Sequence, residues 1–228
     1  MIGVSALSLK PARAQVMCMD TVDLALVLAF DCSASVRLEQ FVLMTTGTAA
    51  ALRDADIVAG LTGGVFGATE ACLLLWSGPD AQEVMVEWTY LASPAAVLAF
   101  ASAVEDVPRI LPAGTTAIGA ALRACTGLLA IAPAPARRQV IDLVGDGRSN
   151  AGIPPAPVRD LLVAAGVTIN GLCVLHEEAD LVASYTREVI GGPGSFALQC
   201  QDFQGFAEAM RQKLQREIAG VRRAVAAG

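Results

Sequence analysis

The sequence predicts an α/β fold with a doubly wound, mostly parallel sheet, one antiparallel edge strand and helices on both faces. Nearly unbroken apolar runs, typical of strands buried on both faces, alternate with segments of helical periodicity. Two consecutive predicted strands are separated only by turn residues, which predicts one hairpin. Because strand-helix-strand connections are right-handed crossovers, the alternation elsewhere predicts parallel strands covered by helices on both sides.

The elements follow in a regular order. The first strand is predicted over 22–30, and a helix over 36–55 has Val36, Phe41 and Met44 at helical spacing. Strands over 63–76 and 82–91 flank the turn sequence S-G-P-D. The later predictions are helices over 94–104 and 118–131, a strand over 138–144, a helix over 158–165, a strand over 167–175, a helix over 179–190, a strand over 195–198 and a helix over 203–226. The charged residues of that last helix, which include Lys213 and Glu217, are expected on a solvated face.

The composition limits the function classes. The chain of 228 residues has 16 Lys and Arg against 22 Asp and Glu, so its net charge of -6 gives no basic footprint and no nucleic acid is expected as a partner. Charges interrupt the apolar runs, and no stable membrane insertion is expected without a run of about 20 apolar residues. The single histidine, His176, excludes sites built on several histidines.

The first residues have features of an export signal. Residues 2–9 are mostly apolar, and Ala12-Arg13-Ala14 before Gln15 fits the small-x-small pattern of a secretory cleavage site, although the usual basic leader is missing. We therefore expect residues 1–14 to be the remnant of a secretory signal peptide, residues 15–228 to form a single domain, and the protein to be periplasmic or extracellular. An ordinary N-terminus is the alternative.

The six cysteines lie far apart and include no C-x-x-C pair, which argues against a cysteine metal cluster. Export would permit a disulfide, but the sequence does not choose among the pairings. Buried free thiols are expected at Cys32, Cys72, Cys125 and Cys173, which lie in apolar segments.

Carboxylates and hydroxyls collect where predicted strands end. Asp31, Ser33 and Ser35 follow the first strand, Asp146 follows the strand over 138–144, and Thr116 lies in a Gly-Thr loop that enters a helix. Ligands of open α/β sheets bind at the carboxyl ends of the strands, and oxygen-only ligands suit a hard cation such as Mg²⁺. Two carboxylates nearly neutralise a divalent ion, so an open coordination position could accept an anion. As the alternative, Ser35 and Thr116 cap helices and Asp146-Gly147 is an ordinary turn.

This set of residues resembles a known site. Asp31-x-Ser33-x-Ser35, then Thr116 within G-T-T-A-I-G-A-A-L, then Asp146-Gly147, resembles the metal-ion-dependent adhesion site of von Willebrand factor type A (vWA) domains in the same order. The resemblance covers roughly residues 20–220. The segments V-D-L-A-L-V-L-A-F-D, R-R-Q-V-I-D-L-V-G-D-G-R-S-N, G-V-T-I-N-G-L and V-I-G-G-P-G-S-F-A further resemble a bacterial, exported vWA-like family of undefined function.

The resemblance implies a Rossmann-like vWA fold and a site for Mg²⁺ or Mn²⁺. Ser33, Ser35 and Thr116 would coordinate the ion through their hydroxyls, and Asp31 and Asp146 would act directly or through water. A protein partner would offer a carboxylate to the open position. The sequence departs from the vWA motif at two positions. A glycine at 145 stands where a threonine commonly precedes the second Asp, and a cysteine at 32 lies inside the first motif.

The function expected from the sequence is a divalent-cation-dependent protein-binding module and not an enzyme. A metal-dependent hydrolase using the same oxygens is the first alternative, but it needs a general base, and His176 is the only imidazole. A scaffold with a vestigial metal site is the second alternative. Asp142 is expected to be a buried structural carboxylate rather than a further ligand.

Overall fold

A six-stranded sheet forms the centre of the computed structural model, which describes residues 20–175 and 178–226, with side chains up to residue 219. The strands are β1 (Leu24–Asp31), β2 (Thr69–Trp76), β3 (Gln82–Leu91), β4 (Gln139–Gly145), β5 (Thr168–Val174) and β6 (Ala197–Cys200). Their order is β3-β2-β1-β4-β5-β6, and all neighbours pair in parallel except β2 and β3. The predicted doubly wound sheet with one antiparallel edge strand is therefore confirmed.

The helices in the described part of the chain are α1 (Leu38–Leu52), α2 (Ala55–Leu61), α3 (Pro94–Glu105), α4 (Ile118–Ala130), α5 (Pro155–Ala164), α6 (Leu181–Glu188) and α7 (Phe206–Ala226). Only α2 has no predicted counterpart. The side chain of Asp54 caps it by accepting from the N–H groups of Asp56 and Ile57, and Gly60 near its end is required by the close approach of α7. A Cβ at Gly60 would lie 2.2 Å from Ile218 Cγ2, so packing explains a glycine that resembles a loop signal.

The central strand β1 is buried along its whole length and separates two layers of the core. Leu24, Leu26, Leu28 and Phe30 belong to the larger layer, which includes residues of α1, α3 and α7. The alternate residues Ala25, Val27 and Ala29 belong to the second layer, with residues of α4 and α6. This period of two is that of a strand covered by helices on both faces, so both layers fix the position at which β1 ends.

Charged residues of α7 are buried, contrary to the expectation of a solvated face. Lys213 has no exposed surface and forms an ion pair with the equally buried Asp142 of β4. Glu217, one turn further on, accepts a 2.5 Å hydrogen bond from Asn170 of β5. The expectation is wrong for Lys213 and Glu217 because α7 packs directly on the sheet, whereas the structural role expected for Asp142 agrees with its ion pair.

No helix among the described residues is long and apolar enough to cross a bilayer.

Removal of one partner of the buried ion pair is expected to destabilise the fold strongly. Lys213→Met leaves Asp142 as a buried, uncompensated carboxylate, so the free energy of unfolding should fall by about 3–5 kcal/mol in denaturant titrations. The double variant Lys213→Met/Asp142→Leu should recover most of this loss because the unpaired Asp142 carboxylate is gone. The control Arg211→Met removes a surface pair with Glu208 and should leave the free energy of unfolding close to that of wild type. Equal losses in Lys213→Met and in the double variant would contradict this account.

Gly145, the last residue of β4, is required by the packing of α6 against the sheet. A Cβ at this position would lie 2.5 Å from the hydroxyl of the fully buried Tyr185 and 3.2 Å from Asp31 Oδ2. The Tyr185 hydroxyl therefore occupies the space that a threonine side chain would need. This contact explains why the chain departs from the vWA pattern at this position.

Gly145→Ala is expected to lower the free energy of unfolding by about 1–3 kcal/mol through overpacking. The double variant Gly145→Ala/Tyr185→Phe should regain most of that loss, because the clashing oxygen is gone. As a matched control, Gly127→Ala in α4 introduces a Cβ with nothing within 4 Å and should stabilise the helix by about 0.5–1 kcal/mol. Chemical denaturation of the four proteins measures these changes, and a Gly145→Ala variant as stable as wild type would refute the steric argument.

Candidate metal centre

Two neighbouring parallel strands bring the two predicted aspartates to the same edge of the sheet. Asp31 is the last residue of β1, and Asp146 directly follows β4, which pairs with β1 up to Phe30 and Val144. Both aspartates are almost completely buried, with exposures of 0% and 1%. The chain order reverses between β1 and β4, so the pair lies at the switch point where open α/β sheets bind ligands.

Hydrogen bonds connect the first motif to the second aspartate. The Ser33 N–H donates to Asp31 Oδ1 at 2.7 Å, which curls the chain back over the end of β1. The hydroxyls of Ser33 and Ser35 are 3.1 Å apart, and Ser35 Oγ donates to Asp146 Oδ1 at 2.7 Å. The structure therefore brings these four sequence-predicted residues into one connected cluster.

Thr116 lies at the margin of this cluster. It is 4% exposed, and its Oγ1 is 3.9 Å from the point that a Cβ on Gly147 would occupy. Its backbone is fixed by Asn150, whose Oδ1 accepts from the Thr116 N–H at 2.8 Å and whose N–H donates to the Thr116 carbonyl at 2.9 Å. All five predicted ligand residues thus lie at one edge of the sheet, and their coordination of an ion stays a prediction.

Helix capping was the alternative role for Ser35 and Thr116, and neither residue is the N-cap of a helix. The helix α1 begins at Leu38, and the Ser35 hydroxyl is committed to Asp146. The helix α4 has Ala117 at its N-cap with no side-chain cap, so the Thr116 hydroxyl is not used there either. Neither the Ser35 hydroxyl nor the Thr116 hydroxyl therefore caps a helix.

The electrostatics of the cluster favour a cation. Burial, and secondly repulsion from Asp146, raises the pKa of Asp31 from the ordinary value of 3.8 to about 7. Hydrogen bonds from the N–H and hydroxyl of Ser33 and the charge of Arg109 act against this rise. Asp31 Oδ2 has no hydrogen-bond partner among the described residues. Two buried carboxylates beside three hydroxyls provide the hard oxygen donors that Mg²⁺ and Mn²⁺ prefer, so the residues fit a divalent cation.

Arg109 supports the first motif from the loop after α3. Its Nη2 donates to the backbone carbonyls of Cys32 and Ser33 at 3.0 and 3.2 Å. The Cys32 side chain is buried in the larger core layer, where burial raises the pKa of the thiol to about 12. The cysteine inside the motif is therefore a packing residue with a protonated thiol and is not a member of the oxygen cluster.

A pair of loops flanks the cluster on the β5 side. Arg148, two residues after Asp146, forms a 2.8 Å ion pair with Glu178 and a second ion pair with Asp180. The Arg148 N–H also donates to Glu178 Oε1 at 3.1 Å, so the loop after β4 is tied to the loop before α6. His176 lies outside the described residues, and its position relative to the cluster stays open.

Sequence reasoning missed the residues that hold the cluster in place. Arg109 and Asn150 act through backbone atoms of the motif residues, and Glu178 acts through Arg148. None of them lies in a periodic pattern or within the ligand motif. Only Asn150, which ends the quoted segment R-R-Q-V-I-D-L-V-G-D-G-R-S-N, was inside a stretch that the sequence singled out.

The described residues contain no group of three His, Cys, Asp or Glu side chains arranged to hold a metal ion. A metal at this edge would therefore need the hydroxyls of Ser33, Ser35 and Thr116 in addition to the two aspartates. Such a ligand set binds a hard cation and leaves little to act as a general base, since both carboxylates would already be engaged.

Solved structures with similar folds are vWA domains. Proximal thread matrix protein 1 (PTMP1) from the mussel byssus has a TM-score of 0.67 and 15% identity over 86% of this chain and 48% of that chain. A von Willebrand factor type A structure from Catenulispora acidiphila has a TM-score of 0.60 and 17% identity over 86% and 43%. The vWF domain of the type V pili tip protein Mfa5 from Porphyromonas gingivalis has a TM-score of 0.60 and 10% identity over 88% and 96%.

One further structure of the mussel protein is described as having a zinc-occupied MIDAS motif, where MIDAS stands for metal-ion-dependent adhesion site. It has a TM-score of 0.61 and 17% identity over 89% of this chain and 48% of that chain. The chain thus spans about half the length of the mussel protein. At these identities the likeness establishes the vWA fold alone. No curated protein sequence matches the chain. A family profile described as "Protein of unknown function (DUF1194)" matches residues 21–222, and the chain belongs to that family.

Proposed function

We propose that this protein is an exported interaction module that uses a divalent cation, Mg²⁺ or Mn²⁺, to bind an acidic group of a protein partner. The observation that carries the proposal is the buried oxygen cluster at the switch point of the sheet. Its carboxylates lie at the ends of adjacent strands, and the Ser35 hydroxyl already bridges to Asp146 at 2.7 Å. The vWA fold of the chain supports the same assignment.

The residues proposed to hold the cation are Asp31, Ser33, Ser35, Thr116 and Asp146. When bound, the ion supplies a Lewis-acidic position that a carboxylate from outside can occupy. The chain positions the donors, since Arg109 fixes the first motif and Asn150 fixes the Thr116 loop. The buried Asp31 carboxyl, whose pKa is raised by burial, gains most from a neighbouring positive charge.

The surface around the cluster suits a partner that approaches closely. Gly147 follows Asp146, and the nearest side-chain atom to a Cβ at that position is Glu178 Oε1 at 3.7 Å. Gly114 lies in the loop that carries Thr116, and its carbonyl accepts from the Ala34 N–H at 2.9 Å. Gly147 therefore leaves space beside Asp146 for a partner's carboxylate, whereas Gly114, where a Cβ would lie 3.3 Å from Ser77 Oγ, is packed within the protein.

A binding role is favoured over hydrolysis by what surrounds the aspartates. A metal-assisted hydrolase needs a base within hydrogen-bond reach of the attacking water. The polar groups near Asp31 in the described part of the chain include Ser33, Asp146, Arg109, Tyr185 and the Cys32 thiol. Burial raises the pKa of the Tyr185 hydroxyl, so this group keeps its proton at neutral pH and cannot accept one from water.

The export assignment is part of the proposal. Pilus adhesin SpaC from Lactobacillus rhamnosus GG is a further structural neighbour, with a TM-score of 0.61 and 13% identity over 90% of this chain and 31% of that chain. Pilus and byssus proteins act outside cells, and a module of this fold would bind its partner there. The signal-peptide remnant over 1–14 and the domain limits 15–228 stay predictions, since the first 19 residues lie outside the described part of the chain.

Metal binding is expected to depend on the two aspartates. Calorimetric titration with MgCl₂ or MnCl₂ should show one site in wild type and none in Asp31→Asn or Asp146→Ala. At 100 times the dissociation constant the metal should stabilise the wild-type fold by about 2.7 kcal/mol. The control Asp160→Ala removes an exposed aspartate paired with Arg159 and should bind metal as wild type does. Wild type that shows neither heat nor a thermal shift would refute the metal site.

The metal-free protein provides a second readout. Because burial raises the pKa of Asp31 to about 7 in the folded state, ionisation of this carboxyl destabilises the metal-free fold increasingly as the pH rises from about 4 to 7. Asp31→Asn should therefore be at least as stable as metal-free wild type at pH 8. An Asp31→Asn protein that unfolds more easily than wild type would show that Asp31 is a structural acceptor.

Partner capture is expected to require the cation and no catalysis. An immobilised library of aspartate peptides, with matched asparagine peptides as control, should retain wild type in Mg²⁺ or Mn²⁺ and release it on chelation. His176→Ala should capture as wild type does, whereas Asp146→Ala should not. Purified protein should not turn over phosphoester, peptide or ester substrates above background. Metal-dependent turnover that is lost in both Asp146→Ala and His176→Ala would favour the hydrolase instead.

A further inference from the structure

A cavity of about 660 Å³ lies at the end of the sheet opposite the metal centre. It is lined by Gln139 and Thr168, the first residues of β4 and β5, whereas the metal cluster follows the last residues of β1 and β4. The segment Gly191-Gly192-Pro193-Gly194, a turn to which the proposed function gives no role, contributes Pro193 and Gly194 to the wall. The volume is in the range of sites for small organic ligands, about 300–1,000 Å³.

The charge of the lining is opposite to that of the whole chain. Arg137, Arg138 and Arg216 line the cavity with Glu217 as its one carboxylate, in a protein of net charge -6. Arg138 is directed to Glu217, since its Nη1 donates to the Glu217 carbonyl at 3.1 Å. Arg216 adds a further positive charge to this lining, which attracts an anion into an otherwise acidic protein.

Arg216 is arranged as an oxyanion receptor. Its guanidinium carbon lies 4.0 Å from the centre of the Phe196 ring, which also lines the cavity. Within the described part of the chain, Arg216 has no ion pair with a carboxylate. Stacking on an aromatic face holds the guanidinium plane while its N–H edge stays available for two parallel hydrogen bonds to a carboxylate or phosphoryl group.

The floor of the cavity does not oppose an anion. Glu217 is 2% exposed and accepts a 2.5 Å hydrogen bond from Asn170, which also lines the cavity. Burial and the neighbouring Asp142 raise the pKa of Glu217 to about 8 from 4.5, although Lys213 and Arg138 act against the rise. Glu217 Oε1 lies 3.6 Å from Lys213 Nζ, and Glu217 Oε2 lies 3.8 Å from Arg138 Nη2, so cations of the protein itself compensate this carboxyl.

We propose that this cavity binds a small organic oxyanion, with the oxyanion on Arg216 and the body of the ligand against Phe196. The shared chemistry is a carboxylate or a phosphoryl group attached to an apolar or aromatic body. Inorganic phosphate would fill only a small part of the volume. The site is separate from the metal centre and does not depend on it.

Titration of the full chain with benzoate, phenyl phosphate and inorganic phosphate tests the proposal. A chelator is present throughout, so that the metal centre contributes nothing and a failure here leaves the adhesion-site assignment unaffected. We expect benzoate or phenyl phosphate to bind with a dissociation constant below about 10 mM, and Arg216→Gln to weaken that binding at least tenfold. The stronger of the two identifies the oxyanion as carboxylate or phosphoryl.

The matched control is Arg211→Gln, a change on the same helix at an arginine that pairs with Glu208 away from the cavity. It should bind the probe within twofold of wild type. Arg216 is on the exposed face of α7, so its substitution should leave the thermal midpoint near that of wild type. Absence of binding by all three probes, or equal weakening in both arginine variants, would overturn the proposal.

Discussion

The placement of two buried carboxylates at the ends of adjacent parallel strands is the constraint on which the site depends. Like charges in a low-dielectric setting repel, and burial raises the pKa of Asp31 to about 7. A fold can tolerate such a pair by protonation or by a cation. The hydroxyls of Ser33 and Ser35 connect the two carboxylates without neutralising their charge. The donor set therefore fits a divalent ion, which would neutralise both carboxylates.

Asp142 lies on β4 and Asp146 directly follows that strand, and the two aspartates have different partners. Asp142 and Asp146 are four residues apart and share the parity of the strand. The helix α7 supplies Lys213 to Asp142, and both side chains are fully buried. At Asp146 the chain offers the Ser35 hydroxyl. Asp142 is thus a structural carboxylate that Lys213 neutralises, whereas Asp146 is proposed to bind a metal ion.

The sequence determined the sheet well because both faces of β1 are covered. An apolar run such as that of β1 has few other stable arrangements, so strand bounds were predicted to within two residues, except that β2 begins at Thr69 and not at 63. The helix α2 was not predicted, and the glycine at position 60 is explained only by the approach of Ile218 from α7. The burial of Lys213 was missed for the same kind of reason, since its partner on β4 lies 71 positions away in the chain (213 against 142). The predicted ligand residues were singled out by their place after the strands and by the resemblance to the vWA motif, whereas Arg109 and Asn150 act through backbone contacts that no pattern records.

The complete burial of β1 also has a consequence for the timescale on which the site is lost. A strand covered by two core layers exchanges its amide hydrogens only through large-scale opening. Asp31 ends that strand, and the Cys32 N–H continues its pairing to the Trp76 carbonyl at 2.7 Å. The geometry of the first motif should therefore persist through the fraying of surface loops and disappear only with the cooperative unfolding of the central strands.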